Sequence, residues 1–383
     1  MASRRARGRL LRARRRARGR HALARRARAL RARHRVEPLR HGLPLHPGRA
    51  AVPRSVVAAR EQRAGAGVSD LVERGLGWVE QLEAVPSAVT IGKFDGVHIG
   101  HRRILQQLRS IAEAEGLVPT VVTFDRNPLE VVRPDRAPLP LVSLRHKVEL
   151  LRDAGADRVI VIPFTAETAA QPAEEFSQRV LFDGLGARVL LVGEDFRFGH
   201  RGAGDAAMLR AHAEPRGARV ESIDDICFAD GRRVSSTWIR EALSLGRIQE
   251  ANSMLGRRHV LRGDVVRGFQ RGRALGYPTA NLGTPVEGFV PADGVYAAIA
   301  RVDAGAFPAA VSIGDNPTFD GVAAKTVEAY LLDVDLDLYD RPIELELIDF
   351  VRSMHRFESL DELVAQMGRD VERTRELVTA ATA

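Results

Sequence analysis

Two histidines, His98 and His101, stand three residues apart in the segment VTIGKFDGVHIGHRRIL, residues 89–105. The apolar start of this segment predicts a strand, and the run behind the histidines predicts a helix. Gly96 and Gly100 let the backbone turn tightly and approach a ligand with no Cβ in the way. The first turn of a helix presents free N–H groups and a positive dipole end, which suit a phosphate. Both imidazoles can face one anion and stabilise charge that develops on a phosphate during transfer.

A metal site is the main alternative for this histidine pair, because histidine is the commonest metal ligand. No third His or Cys lies nearby in the sequence, and a pair of satisfied core histidines is the other alternative. Two further nucleotide signatures do not apply. The GAG at 202–204 does not follow a strand and lacks a third glycine, and no GxxxxGK[ST] segment is present.

A second segment whose residue types could bind a phosphate is GDVVRGFQRGRALGYPTANL, residues 263–282. Glycines and arginines alternate along it, and basic glycine-rich loops between strands form backbone cradles for phosphate. A flexible surface loop is the alternative interpretation of the composition. The glycines and arginines are Gly263, Arg267, Gly268, Arg271, Gly272, Arg273 and Gly276.

Two different patterns of elements must position these segments. Buried strands alternate with helices near 99–115, 143–153, 172–183 and 204–213, which predicts a Rossmann-like parallel sheet that binds ligands at the carboxyl ends of its strands. The predicted strands are Ala88–Gly92, Val118–Thr123, Arg158–Ile162, Ala187–Val192 and Arg219–Ser222.

Beyond about residue 257 only strands follow, which predicts a small antiparallel β-barrel or sandwich. A helix at about 360–379 closes the chain, and Ser359 with Glu362 forms a capping box at its start. The fold class is therefore α/β followed by β. We expect domains at 68–250 and 257–383.

The net charge of +9 is unevenly distributed. Residues 1–67 hold 21 Arg and two acidic residues, whereas the remaining chain has a net charge of −10. We expect 1–67 to be a disordered extension, for which translated upstream sequence is one origin, with an RNA-binding arm or a transit peptide as alternatives. The net negative charge of residues 68–383 argues against a nucleic-acid partner. A lone Cys227 excludes disulfides within the chain, and no apolar run is long enough for a membrane span, so we expect a cytoplasmic protein.

The segment GKFDGVHIGH resembles the H-x-G-H signature of nucleotidyltransferases, and specifically the adenylyltransferase half of bacterial bifunctional FAD synthetases. The second signature of that family is a serine/threonine run that opens a helix, here VSSTWIREAL at 234–243. The resemblance implies that His98, His101 and Arg240 are catalytic. The ATP- and phosphate-binding residues that it implies in this half are Gly92, Phe94, Asp95, Gly96, Gly100, Ser235, Ser236 and Thr237.

A third block, VGEDFRFGHRGAGD at 192–205, matches the family at what the resemblance implies is the flavin side. The chain departs from the family at TFDRNP, where TFDPHP is common, so that Asn127 replaces a histidine and Arg126 a proline. Asparagine keeps its hydrogen-bonding capacity but cannot carry a positive charge. The flavin-binding residues that the resemblance implies are Asp125, Asn127, Asp195, Phe196, Phe198 and Asn316.

In the second half, GYPTAN resembles the PTAN signature of riboflavin kinases. The resemblance implies that Thr279 and Asn281 help to hold Mg²⁺ and that Glu328, in TVEAYLLD, is the catalytic base. Oxygen ligands are those that Mg²⁺ prefers, and a carboxylate beside the metal is suited to accept a hydroxyl proton. The phosphate-binding residues implied here are Gly268, Arg271, Gly272, Arg273 and Gly276.

Together the two halves imply a bifunctional enzyme that uses ATP and Mg²⁺ to convert riboflavin to FMN and then FMN to FAD. One alternative is a riboflavin kinase whose adenylyltransferase half is impaired at Asn127. An alternative of another class is a nucleic-acid-binding protein that acts through the Arg-rich segment. The sequence does not define the oligomeric state.

Overall fold

The computed structural model describes residues 84–223, 227–228, 231–268, 275–317 and 323–383. The extension predicted at 1–67 lies outside these residues, as do the predicted phosphate ligands Arg271, Gly272 and Arg273. All described residues belong to one compact unit. Its two halves are a parallel sheet with helices and a closed barrel, as the sequence predicted.

Five strands form a parallel sheet in the first half, in the order β3-β2-β1-β4-β7. All five residues of β1 and of β3 are buried, because helices cover both faces of the sheet. The five predicted strands are confirmed, and a two-stranded ribbon of β5 and β6 is added. The strands are β1 Ser87–Ile91, β2 Val118–Phe124, β3 Arg158–Ile162, β4 Ala187–Gly193, β5 Arg197–Phe198, β6 Gly204–Asp205 and β7 Arg219–Ile223.

The helices of this half pack in two layers, and alternate residues of β1 face opposite layers. Ala88 joins the hydrophobic cluster under α1, whereas Val89 joins the cluster around Phe176. The four predicted helices are confirmed; α2 and α4 were missed because five residues are too few to show a helical period. The helices are α1 Ile99–Glu115, α2 Pro128–Val132, α3 Leu144–Asp153, α4 Ala166–Ala170, α5 Ala173–Phe176 with a π-helical continuation at Ser177–Gly184, α6 Ala206–Ala213, α7 Ser236–Ser244 and α8 Ile248–Leu255.

The second half is a closed antiparallel barrel in the order β10-β11-β12-β9-β8-β13. Closure leaves no strand edge unpaired, which suits a short sheet of alternating apolar residues. The short strand β9 carries the PTAN segment and was not predicted. The strands are β8 His259–Val266, β9 Ala280–Leu282, β10 Gly294–Val302, β11 Gly305–Pro317, β12 Ala323–Leu331 and β13 Pro342–Arg352.

A terminal helix, α9 Leu360–Thr382, closes the chain as predicted. Its cap differs slightly from a full capping box: the Ser359 hydroxyl accepts the Glu362 N–H at 3.2 Å, but Glu362 reaches the N–H of Glu358 at 3.1 Å. The helix is fixed to the barrel by Asp370, a buried carboxylate that accepts hydrogen bonds from the guanidinium of Arg352 on β13.

Helices α7 and α8 share their hydrophobic core with the barrel. Ile239, Leu243 and Met254 are fully buried in the same cluster as Tyr296 and Leu347 of the barrel. The two helices therefore connect the halves by continuous apolar packing rather than by a loose linker. The domain bounds 68–250 and 257–383 remain predictions.

We predict that Met254→Ala lowers the free energy of unfolding by about 2–5 kcal/mol, because Met254 is fully buried and its truncation leaves a cavity. Leu245→Ala is the matched control, since Leu245 is 55% exposed between the same two helices and its truncation should change stability by less than about 0.5 kcal/mol. Urea unfolding measures both. Equal effects of the two substitutions would contradict the packing described for α8.

Candidate phosphate-transfer sites

The first site is the turn between β1 and α1. Phe94 and Val97 have φ angles of 49° and 39°, and Gly96 has a φ of 77°. Such angles are strained for residues with a side chain and persist only where packing fixes them. Phe94 and Val97 are buried, and a Cβ on Gly96 would lie 2.7 Å from Cδ1 of Leu141. The surrounding residues thus hold this turn in one conformation.

The two histidines form a stacked pair at the start of α1. Their ring centroids are 3.7 Å apart at an interplanar angle of 18°, and Phe94 packs its edge against His101. Nδ1 of His98 accepts the backbone N–H of His101 at 3.4 Å, so a neutral His98 ring carries its proton on Nε2. Nδ1 of His101 is buried and has no hydrogen-bond partner among the described residues. A Cβ on Gly100 would lie 3.0 Å from the His98 ring.

Both rings are neutral at pH 7. Burial lowers the pKa of His98 to about 4, and the positive charges of Arg233 and Arg257 lower it further in the same direction. Burial also lowers the pKa of His101 well below its ordinary value, followed by repulsion from His98, Arg233 and Lys147. Each imidazole therefore offers a ligand one N–H donor and no charge.

The carboxylate of Asp95 connects this turn to α7. Its Oδ1 accepts the N–H of Leu141 at 2.9 Å, and its Oδ2 accepts from the guanidinium of Arg240. Arg240 also donates to the carbonyl of Leu139 at 2.6 Å, and Ser236 donates to the Asp95 carbonyl at 2.9 Å. Burial raises the pKa of Asp95, while Arg240 opposes that shift. These contacts favour positioning roles for Asp95 and Arg240.

The serine run lies at the same turn as the histidines. Ser235 caps α7, because its hydroxyl accepts the Trp238 N–H at 3.2 Å. Ser236 is the residue whose hydroxyl donates to the backbone carbonyl of Asp95, and Thr237 is exposed. The structure thus brings the two signatures of the first half together. Gly92 is also part of the turn, since a Cβ there would lie 3.1 Å from the Phe94 ring.

The residues that follow β2 have local partners. Asp125 accepts the N–H of Phe164 at 2.8 Å through Oδ1 and pairs with Arg126 at 2.9 Å through Oδ2. Asn127 is the N-cap of α2: its Oδ1 accepts an N–H of the first turn at 3.1 Å, and Glu130 accepts the N–H of Asn127 at 3.0 Å. The two residues that depart from the family pattern therefore stabilise this loop. Whether Asp125 and Asn127 also bind flavin remains a prediction.

The third block forms the β5–β6 ribbon. Phe198 is buried and stacks on Phe196 with centroids 5.5 Å apart, so both rings help to build the core. Asp195 is largely exposed and pairs with Arg233 at 2.9 Å. The charge of Arg233 also acts on both histidines, so this ion pair lies within electrostatic range of the first site.

The second site lies on the barrel between β9 and β12. Asn281 stands opposite Glu328 in the strand register, and the Thr279 hydroxyl donates to Oε2 of Glu328 at 3.3 Å. Asn281 donates through Nδ2 to the Thr279 carbonyl at 3.4 Å, which leaves its Oδ1 for another partner. A cavity of about 220 Å³ opens here, lined by Gly268, Thr279, Asn281 and the loop 334–339.

The oxygen atoms of this second site fit a hard cation such as Mg²⁺. Thr279 and Asn281 offer neutral oxygens beside the carboxylate of Glu328. Among the described residues no group of three or more His, Cys, Asp or Glu could hold a metal ion. Gly276 has a φ of 83°, and a Cβ there would meet no atom of the described residues within 4 Å. The side chain of Asn316 lies outside the described atoms.

Lys147 on α3 lies within electrostatic range of His101, and the sequence analysis did not single it out. It is only 8% exposed, and its Nζ donates to the Phe124 carbonyl at the end of β2 at 2.6 Å. Burial lowers its pKa to about 8, although Asp95 and Asp125 oppose the shift. A single lysine in an amphipathic helix gave no signal of this position in the sequence.

A parallel sheet with an H-x-G-H turn at its carboxyl edge, joined to a barrel with a Thr–Asn–Glu cluster, is the arrangement expected of an enzyme with two phosphate-transfer sites. The family model described as FAD synthetase matches residues 80–238, and that described as riboflavin kinase matches 255–378. The chain belongs to the bifunctional riboflavin kinase/FMN adenylyltransferase family.

The chain matches its relatives over nearly the whole of their length. The bifunctional riboflavin kinase/FMN adenylyltransferase of Escherichia coli (strain K12) is 38% identical, over 79% of this chain and 96% of the relative. The protein of the same description from Haemophilus influenzae is 36% identical, over 75% of this chain and 93% of the relative. A solved structure described as a macrolide-efflux protein from Streptococcus pneumoniae is 30% identical, with a TM-score of 0.71, over 78% of this chain and 96% of that one. The resemblance seen in the sequence is thereby confirmed.

No helix in the described part of the chain is both long and apolar enough to cross a membrane.

We predict that His98 titrates with a pKa of about 4, because the folded protein buries the ring beside arginines. The unfolded chain then binds this proton more readily, so the free energy of unfolding should fall by up to about 3 kcal/mol as the pH decreases from about 6.5 to about 4. NMR titration of the ring, assigned by the loss of its signals in His98→Gln, measures the pKa. A midpoint near the ordinary histidine value would contradict the burial described here.

Proposed function

We propose that this chain carries out both activities for which its relatives are named. The barrel half phosphorylates riboflavin with ATP to give FMN and ADP. The sheet half adenylylates FMN with a second ATP to give FAD and pyrophosphate. The observation that carries the proposal is that one chain holds both sets of motif residues, each gathered at one place in the fold.

In the adenylyl-transfer step, an oxygen of the FMN phosphate attacks the α-phosphorus of ATP, and the bond to pyrophosphate breaks. The Nε2–H of His98 and one N–H of His101 stabilise the charge that develops on the phosphates. Neutral rings suit this role, because each keeps one N–H donor and does not need to take up a second proton. The free N–H groups at the starts of α1 and α7 add donors on the same side.

In the kinase step, Glu328 accepts the proton of the riboflavin 5′-hydroxyl while that oxygen attacks the γ-phosphorus of ATP, and ADP leaves. Thr279 and Asn281 would hold Mg²⁺, which when bound neutralises charge on the nucleotide phosphates. The contact between Thr279 and Glu328 keeps the base beside these oxygens. Gly268 leaves room for Asn281 at the mouth of the cavity.

The relatives from Escherichia coli, Haemophilus influenzae and Pseudomonas fluorescens are each named for both activities, and none of them favours the alternative of an impaired adenylyltransferase half. Arg126 and Asn127 instead have structural partners in this chain. The domain bounds 68–250 and 257–383, the site residues and the cytoplasmic location remain part of this proposal.

The first experiment is chromatography of a reaction that contains the full chain, riboflavin, ATP and Mg²⁺, with FMN and FAD followed separately. FAD that appears after FMN supports both activities. FMN that accumulates alone, with added FMN also left unconverted, would mean that only the kinase half is active.

We predict that the two sites can be inactivated one at a time. His98→Ala should lower adenylyl transfer about 100- to 1,000-fold, through loss of one charge-stabilising donor, and leave riboflavin phosphorylation nearly unchanged. Glu328→Gln should lower phosphorylation about 100- to 10,000-fold, through loss of the base, and leave the adenylylation of added FMN unchanged. Each variant is the control for the other. Loss of both activities in a well-folded variant would refute the assignment of two sites.

We predict that Gly268→Ala impairs the kinase step on the order of 10- to 100-fold, because its Cβ would lie 2.6 Å from the Asn281 side chain and displace it. Gly263→Ala on β8 is the matched control, since a Cβ there would make an ordinary contact at 3.5 Å. Initial rates of FMN formation measure both variants. Equal activities would show that Asn281 need not stay where the structure has it.

A further inference from the structure

Lys147 lies where the loops after β1 and β2 meet the start of α3. Its ammonium is buried and donates to the Phe124 carbonyl, the last residue of β2. The carboxyl ends of parallel strands are where such sheets bind ligands. The charge of Lys147 acts on His101, so the ammonium lies within electrostatic range of the histidine pair.

Among the described residues no carboxylate lies within ion-pair distance of the Lys147 ammonium, although Asp95, Asp125 and Glu130 attract its charge from farther away. Asp95 is paired with Arg240, and Asp125 is paired with Arg126. An ammonium has three N–H donors, and Phe124 is the one acceptor found for Lys147 within the described residues. A buried donor without an acceptor is destabilising, and the two remaining N–H donors of Lys147 at a ligand-binding edge suit an anionic oxygen.

We propose that Lys147 donates to a phosphate oxygen of a substrate during adenylyl transfer, as a cationic partner of the neutral donors His98 and His101. This inference rests on the proposed function of the sheet half. Because both rings are neutral, Lys147 supplies a full positive charge that the histidine pair does not. The phosphate belongs either to FMN or to ATP, which share this chemistry.

The electrostatic surroundings give the proposal a pH signature. Burial lowers the pKa of Lys147 to about 8. Three carboxylates oppose this shift: Asp95 after β1, Asp125 after β2 and Glu130 on α2. His101 on α1 is the histidine on which the Lys147 charge acts. A bound phosphate favours the ammonium and raises this pKa. The alkaline decline should therefore lie near pH 8 in kcat/KM, which reports the free enzyme, and at higher pH in kcat.

The test measures FAD formation from FMN and ATP by the full chain over the alkaline range. Lys147→Met should lower kcat/KM about 10- to 100-fold, through loss of a charged donor, with riboflavin phosphorylation unchanged. A rise in KM for FMN alone assigns the phosphate to FMN, and a rise for ATP alone assigns it to ATP. Lys147→Arg should retain activity and lose the alkaline decline, because arginine does not titrate there. Arg152→Met, at an exposed position of the same helix, should leave all rates unchanged.

Several outcomes would overturn the proposal. A Lys147→Met enzyme with unchanged kcat/KM and a lower Tm would show that the residue only supports the fold. If that variant does not fold, the wild-type profile decides: the same alkaline pKa in kcat and kcat/KM excludes contact with a phosphate. Wild-type enzyme that forms no FAD would refute the proposed function itself, whereas FAD formation indifferent to Lys147 would refute this inference alone.

Discussion

The buried contact between Asp95 and Arg240 is the interaction on which the rest of the first site depends. Charges removed from water are tolerated only where partners satisfy them, and the Asp95 and Arg240 side chains are 17% and 12% exposed. The pair joins the strained turn after β1, the helix that carries the serine run and the segment at Leu139–Leu141. The same segment also contacts the barrel half of the chain, because the Phe289 N–H donates to the Leu141 carbonyl at 3.2 Å.

In the function that we propose, the two sites handle phosphate by different physical means. The first would rely on N–H donors from neutral rings and helix starts, together with the ammonium of Lys147. The second offers oxygen atoms, which suit a cation that itself meets the phosphates. In this proposal each half of the chain stabilises the negative charge of the phosphates with a different kind of chemical group.

The sequence predicted those features that depend on local pattern. The five sheet strands were found because buried runs such as VLLVG are continuous and apolar, and the histidine pair was found by its spacing. Strand β9 has three residues, too few for a pattern. The partner of Arg240 could not be read from spacing, because Asp95 lies 145 residues away along the chain. The burial of Lys147 likewise depends on where the end of β2 comes to lie.

The shared core of α7, α8 and the barrel bears on whether the two halves of the chain can be separated. The serine run of the sheet half is carried by a helix whose apolar face is buried against barrel residues such as Tyr296 and Leu347. A gene cut between the two catalytic halves would leave that face open to water. Separate expression of the two halves would therefore require several compensating substitutions on that face at once. The shared packing thus favours keeping both steps of flavin conversion on one polypeptide.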